Sequence, residues 1–359
     1  MNEIQRYLAE EIAIDCSNGH ITRVEALRRL RVMGLSAAVA LALLTACGAD
    51  GNEANPAAPS TRVEMNDPAA PAPAAPPPPD APGAAPSATP ATSASGNEGN
   101  PVPAAPPAAA PAPASDPSAA APIPGASPDA ALPTEAITFS GPRGVLQGAW
   151  ASAAAPRGAV LVIHENRGLN DHIRSVAGRF AAAGYSALAL DLLSEEGGTA
   201  ALGDVANATA ALGNAAPERF VEDMRAALDE LARRVPGAAI GAIGFCFGGG
   251  MMWRMVASGD PRLAAVAPFY GQFPAGADLG ESTAAVLGVY GELDMRINAS
   301  RADAENALTA AGLEHELITL PGANHAFFND TGMNYNAVAA EEAWTRVLAW
   351  FEQYLASGG

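Results

Sequence analysis

Three residues in the second half of this chain could carry out nucleophilic chemistry together. Cys246 stands at the centre of Gly244-Phe245-Cys246-Phe247-Gly248-Gly249, directly after the apolar run Ala238-Ala239-Ile240-Gly241-Ala242-Ile243. The run predicts a buried strand, and the glycines predict a tight turn into a helix from about Phe247. A residue at such an apex is pushed out of the strand with its side chain exposed. A cysteine there gains twice. The positive end of the following helix favours the thiolate, which is the attacking form. The Phe247 N–H points to where a carbonyl oxygen would gain charge as sulfur attacks the acyl carbon. Asp294 follows a second predicted strand, in Tyr290-Gly291-Glu292-Leu293-Asp294, with Glu292 as the alternative acid. His325 lies in Pro321-Gly322-Ala323-Asn324-His325-Ala326-Phe327, between a strand and the last helix. An imidazole takes and returns the proton, while a carboxylate fixes its tautomer and stabilises the imidazolium. The competing reading of Cys246 is a buried structural thiol, and the downstream partners weigh against it.

The elements that must position these residues can be read from the pattern. Ala136–Phe139 and Val145–Trp150 predict an opening antiparallel hairpin, with Gly141-Pro142-Arg143-Gly144 as its turn. Strands are expected at 158–163, 185–191, 238–243, 263–267, 285–290 and 314–320, with those at 158–163 and 238–243 buried. Helices are expected at 172–183, 199–211, 217–235, from 247, at 299–311 and at 336–355. Apolar strands alternating with helices give an α/β class with a mostly parallel central sheet and helices on both faces. Ligands bind beyond the carboxyl ends of such strands. Glu165, Cys246, Asp294 and His325 all fall just after a predicted strand.

Composition divides the rest of the chain. Residues from about 48 to 133 are rich in Ala, Pro, Ser, Gly and Asn, and no aromatic residue occurs between Tyr7 and Phe139. Such a stretch cannot bury enough apolar surface to offset its ordering entropy, so it reads as a disordered linker. The folded domain is then 134–359. The formal charge is −18, and no basic cluster occurs outside the N-terminal segment. That excludes nucleic acid as an expected partner. The three cysteines, Cys16, Cys47 and Cys246, share no metal-type spacing.

Residues 1–47 have the features of an export signal. Arg28-Arg29-Leu30-Arg31 precedes the apolar run Val32–Leu44 and the small-residue boundary Thr45-Ala46-Cys47. The paired arginines suit the twin-arginine route. Leu44-Thr45-Ala46-Cys47 resembles a bacterial lipobox, in which the cysteine is lipidated and becomes the mature N-terminus. The expected location is periplasmic or cell-surface, with Cys47 and the linker as a membrane tether. The alternative, an uncleaved anchor, has an apolar stretch short for a bilayer. Residues 1–27 are long for a leader, and Met1–Ile14 reads as a short amphipathic helix.

The elbow around Cys246 resembles the nucleophile elbow of α/β-hydrolases, with cysteine in place of serine. Together with Gly291-Glu292-Leu293-Asp294, Gly322-Ala323-Asn324-His325-Ala326-Phe327 and His164-Glu165-Asn166-Arg167-Gly168-Leu169-Asn170, it resembles the dienelactone hydrolase family over 134–359. The resemblance implies a Cys246-His325-Asp294 triad that forms and hydrolyses a thioester, with no metal or organic cofactor. It implies that Glu165 holds the resting thiol and accepts its proton when substrate binds. It also implies that the Asn166 N–H is the second oxyanion donor beside Phe247. The family's substrate-carboxylate arginine, four positions after the histidine, is here Asn329, with Asp330 beside it. Arg167, Arg254 and Arg296 are the other candidate cations, and His164 is a candidate for a direct role. The expected substrate is a small ester or lactone, neutral as well as carboxylated. The alternatives are a tethered non-catalytic binding protein and an acyltransferase or thioesterase.

Overall fold

The computed structural model describes residues 1–46 and 125–355. Three helices come first: α1 (Glu3–Ser17), α2 (Arg23–Val32) and α3 (Ala37–Ala46). A hairpin of β1 (Glu135–Gly141) and β2 (Gly144–Ala151) follows. Next come β3 (Ala159–Ile163), α4 (Asp171–Ala182) and β4 (Ser186–Asp191). Three helices then run in succession: α5 (Thr199–Leu202), α6 (Val205–Asn214) and α7 (Pro217–Arg234). The chain continues through β5 (Ile240–Phe245), α8 (Phe247–Ala257), β6 (Leu263–Phe269) and β7 (Ala285–Gly291). It closes with α9 (Met295–Asn298), α10 (Arg301–Ala311), β8 (His315–Leu320) and α11 (Ala337–Leu355).

The strands form one sheet in the order β1-β2-β4-β3-β5-β6-β7-β8. β2 runs antiparallel to β1 and β4, and the other pairings are parallel. Because β3, β4 and β5 are covered on both faces, every one of their residues is buried. Val160, Leu161, Val162 and Ile163 lose all contact with water, each contributing about 1.5–3 kcal/mol of transfer free energy. Gly241 of β5 packs under Leu355 and Phe351 of α11, whereas Gly244 packs under Gly248 and Met252 of α8. Three positions apart on a strand means opposite faces, so α11 and α8 flank the elbow strand from the two sides.

The structure moves two expected boundaries. Of the linker assigned to 48–133, residues 48–124 lie outside the described residues, as does Cys47. Its end belongs to the folded domain. Arg179 of α4, buried against Trp344 (4.6 Å) and Phe328 (4.8 Å), donates to the carbonyls of Gly125 (2.7 Å) and Ala126 (3.0 Å). The Leu132 N–H bonds to the Gly178 carbonyl (3.0 Å). These contacts use backbone groups, which composition does not register. The single helix expected over 199–211 is two. Gly203 ends α5 with φ +68°, and Asp204 caps α6 by accepting from the Ala206 N–H at 2.8 Å.

The N-terminal helices pack on the same core. Leu8, Ala9, Ile12, Ala13, Ala26, Leu30 and Leu44 are buried. Leu8 of α1 and Met33 both reach Gly213 of α6. The Asn2 amide donates to the Gly213 carbonyl (3.0 Å), and the Gln5 amide to the Met33 carbonyl (2.9 Å). Arg28 and Arg29 both pair with Glu25. No described helix is long and apolar enough to cross a membrane.

Candidate active site

Cys246 joins β5 to α8 in a backbone conformation that L-residues rarely adopt, with φ 55° and ψ −116°. The turn is possible because its neighbours have no side chain. A Cβ on Gly244 would come within 2.2 Å of the Gly248 carbonyl oxygen. One on Gly248 would come within 2.5 Å of the Ile163 carbonyl oxygen. The Gly250 N–H bonds back to the Cys246 carbonyl (3.0 Å), so α8 starts at once. The sulfur therefore sits at a helix N-terminus, where free N–H groups and the helix dipole favour negative charge.

Asp294 and His325 come from the loops after β7 and β8. Asp294 follows β7 and caps α9, one oxygen accepting from the Ile297 N–H (3.2 Å). Its other oxygen accepts from His325 Nδ1 at 2.5 Å. That bond leaves Nε2 as the nitrogen available for proton transfer. A His325 ring nitrogen and the Cys246 sulfur lie within 4.8 Å of each other. Cys246, His325 and Asp294 thus converge at one end of the sheet.

A fourth group stands among them. Glu11 of α1 accepts a hydrogen bond from the Cys246 thiol at 3.2 Å. The same carboxylate oxygen lies 3.2 Å from His325 Nε2. Its other oxygen accepts from Arg296 at 2.8 Å. The Arg296 guanidinium lies over the Tyr7 ring (4.5 Å), and the Tyr7 hydroxyl is 3.4 Å from the sulfur. Sequence reasoning passed over Tyr7 and Glu11. The available signal was their spacing: four apart, on the same face of an amphipathic helix as Ile4, Leu8 and Ile12.

Glu165 does not hold the thiol here. Its carboxylate is buried and accepts from the Asn329 amide (2.7 Å) and the Tyr270 hydroxyl (3.4 Å). The carboxylate on the sulfur is Glu11 instead, while Asn329 and Tyr270 hold Glu165. Asn329 supplies no cation and is committed to Glu165, and Asp330 is paired with His172 (2.6 Å). Arg254 bonds to Glu3 of α1. Arg167 is exposed at the mouth of the site, and Arg296 is held by Glu11. His164 is fully buried, its Nδ1 donating to the Glu165 carbonyl (2.6 Å) and its Nε2 accepting from the Leu192 N–H (3.1 Å). It braces the Glu165 loop as a neutral ring, in keeping with burial that lowers its pKa. Phe247 is the first residue of α8, with its ring edge-on to Phe220 at 5.5 Å. Asn166 lines the cavity, and its carbonyl accepts from the Thr209 hydroxyl (3.0 Å).

The cavity over the sulfur encloses about 400 Å³. One wall is the strand-end loops, with Glu165, Asn166, Cys246, Asp294 and His325. The other is α1, with Glu11, Ile14 and Asp15. The buried groups shift one another's titration. Burial, and then the Glu11 charge, push the Cys246 thiol up to about 11. Burial would lower His325, but Glu11 and Asp294 override it and hold the ring well above its ordinary value. Burial would likewise raise Glu11, yet His325 and Arg296 hold it well below the usual carboxylate range. Glu11, Cys246 and His325 also offer three ligand atoms within 4.8 Å of one another, a set that suits a borderline cation such as Zn²⁺.

The profile of the dienelactone hydrolase family matches residues 146–355, more than half of the chain. This protein belongs to the dienelactone hydrolase family. Within the family, a protein of Escherichia coli O157:H7 named "Putative carboxymethylenebutenolidase" is 33% identical over 215 residues. The match covers 55% of this chain and 78% of that one. One of the same name from Saccharolobus solfataricus is 30% identical over 238 residues, covering 56% of this chain and 92% of the relative. Among solved structures, the dienelactone hydrolase-like promiscuous phosphotriesterase P91 from metagenomic libraries superposes with a TM-score of 0.51. It is 25% identical, covering 63% of this chain and 99% of its own. The dienelactone hydrolase of Anabaena variabilis shares the fold (TM-score 0.51, 21% identity, 62% and 98% coverage). The dienelactone hydrolase domain is thus an α/β-hydrolase fold, and the protein is a hydrolase.

Proposed function

We propose that this dienelactone hydrolase family member cleaves small carboxylic esters or lactones through Cys246, His325 and Asp294. The observation that carries the reading is the 2.5 Å bond from His325 Nδ1 to Asp294, beside a cysteine at a strained strand–helix elbow. The Cys246 sulfur attacks the acyl carbon as its proton passes to His325. The N–H groups of Phe247 and Asn166 receive the oxyanion. The carbon–oxygen bond to the leaving group breaks, and His325 returns the proton to that oxygen. Water then loses a proton to His325 and attacks the thioester. The carbon–sulfur bond breaks, the carboxylic acid leaves, and His325 returns its proton to the Cys246 sulfur. No step calls for a metal or an organic cofactor.

The basic–apolar–small pattern ending at Cys47 supports export and attachment to a membrane through that cysteine. The full-length protein, with Cys246→Ala beside it, tests the chemistry on p-nitrophenyl acetate and a panel of neutral and carboxylated lactones. Turnover should fall about 10⁴-fold or more in the variant, because triad members act as a unit. Equal turnover in both proteins would remove Cys246 as the nucleophile. With Asn329 bonded to Glu165, neutral lactones should be accepted as well as carboxylated ones.

A further inference from the structure

We propose that α1 is an intramolecular inhibitor of this active site, with Glu11 standing between nucleophile and base where an acyl substrate has to bind. An attacking sulfur needs the acyl carbon about 3–3.5 Å away. The base needs the leaving oxygen within about 3.2 Å. One Glu11 oxygen takes both positions, 3.2 Å from the sulfur and 3.2 Å from His325 Nε2. The contact is built rather than incidental. Arg296 grips the second oxygen at 2.8 Å, Tyr7 lies under that guanidinium and its hydroxyl reaches the sulfur. Leu8 and Ile12 are buried on the same helix, and Leu8 meets α6 at Gly213.

Chemistry gives the contact its sign. The groups facing the sulfur are Glu11 and Tyr7 from α1, His325, and Glu165 and Tyr270 across the cavity, with Asp294 behind His325 and Arg296 behind Glu11. Glu11 adds a negative charge beside the sulfur, which opposes thiolate formation. It also occupies the place beside His325 Nε2 through which the thiol proton would have to pass. A helper in catalysis would leave Nε2 free to face the sulfur; Glu11 occupies both ends of that path. α1, α2 and α3 all precede Cys47. If the chain is cut before Cys47, a consequence that rests on the export reading, the inhibitor leaves with the leader. The inhibition itself does not depend on that reading.

The test compares full-length wild type, Glu11→Ala and Gly213→Phe. A side chain on Gly213 meets Met33 at 3.2 Å and Leu8 at 3.5 Å, so Gly213→Phe pushes α1 away without touching its sequence. Two rates are read: p-nitrophenyl acetate turnover, and alkylation of Cys246 by iodoacetamide, located by peptide mass to separate it from Cys16 and Cys47. Both variants should raise both rates at least tenfold. Unchanged or slower alkylation in Glu11→Ala overturns the proposal, as does a loss of turnover there that marks Glu11 as part of the catalytic machinery. Faster alkylation with no ester turned over by any of the three keeps the inhibition and sinks the esterase reading. If Gly213→Phe does not fold, Glu11→Ala alone decides.

Discussion

Two regions of the molecule bring charged or nucleophilic groups to the same sulfur by different means. Cys246, Asp294 and His325 follow β5, β7 and β8, of which β5 and β7 are buried along their whole length, and the Cys246 and Asp294 N–H groups bond to the carbonyls of Phe269 in β6 and Gly291 in β7. Glu11 rides a single helix held by a modest apolar face and by Arg296. A strand end seated on a packed core can move only if the core moves, so it suits groups that must keep sub-ångström register. A helix docked on the outside can come and go at the cost of a few buried side chains. On the proposed reading the chemistry belongs to the sheet and the control to the helix.

The comparison breaks most easily at the sheet end. Asp294→Asn keeps the shape but gives His325 a different partner. Turnover should fall between about 10²- and 10⁴-fold with little change in stability; a drop under threefold in steady-state rates would take Asp294 out of the triad. Next in size is the elbow. Gly248→Ala places a Cβ 2.5 Å from the Ile163 carbonyl and 2.6 Å from the His164 carbonyl. The strand and helix must separate, with an expected loss of about 1–3 kcal/mol in urea unfolding and a large loss of turnover. A fully active, equally stable variant would show that the tight elbow is dispensable.

The smallest effect sharpens the helix side. Glu11 titrates lower in the folded chain than its ordinary value of 4.5. Its contribution to stability is therefore complete above that pH and is lost as pH falls below it. His325, raised by its carboxylate neighbours, behaves oppositely and loses its contribution only as pH rises. Asp223, raised by burial to about 6, is common to both proteins and cancels. Wild type should exceed Glu11→Gln by about 2 kcal/mol at pH 7, and the gap should shrink between pH 5 and 3. A gap that stays constant over that range would mean that Glu11 is not ionised in the docked helix.

The sheet end was readable in the sequence for a physical reason. Buried parallel strands are near-continuous apolar runs, and reactive residues placed right after them stand out. The hairpin turn and the order of Cys246, Asp294 and His325 were legible on that basis. The break between α5 and α6 was not, because alanines on either side of Gly203 continue the helical pattern. The docking of residues 125–132 was not legible either, because Gly125 and Ala126 bond to Arg179 and Leu132 to Gly178 through backbone groups. The resemblance put Glu165 at the thiol, whereas the structure bonds Glu165 to Asn329 and Tyr270 and brings Glu11 to the sulfur. A contact across more than two hundred positions of sequence leaves no local pattern. A leader-like segment also draws attention away from its own acidic residue.

The most direct measurement of the central claim is the mass of the Cys246 peptide after rapid acid quench of the full-length protein mixed with p-nitrophenyl acetate. The account predicts an acetyl group on the sulfur of Cys246, accumulating in the first turnover and absent from Cys246→Ala. An unmodified Cys246 peptide during active turnover, or an acetyl group on another residue, would contradict it.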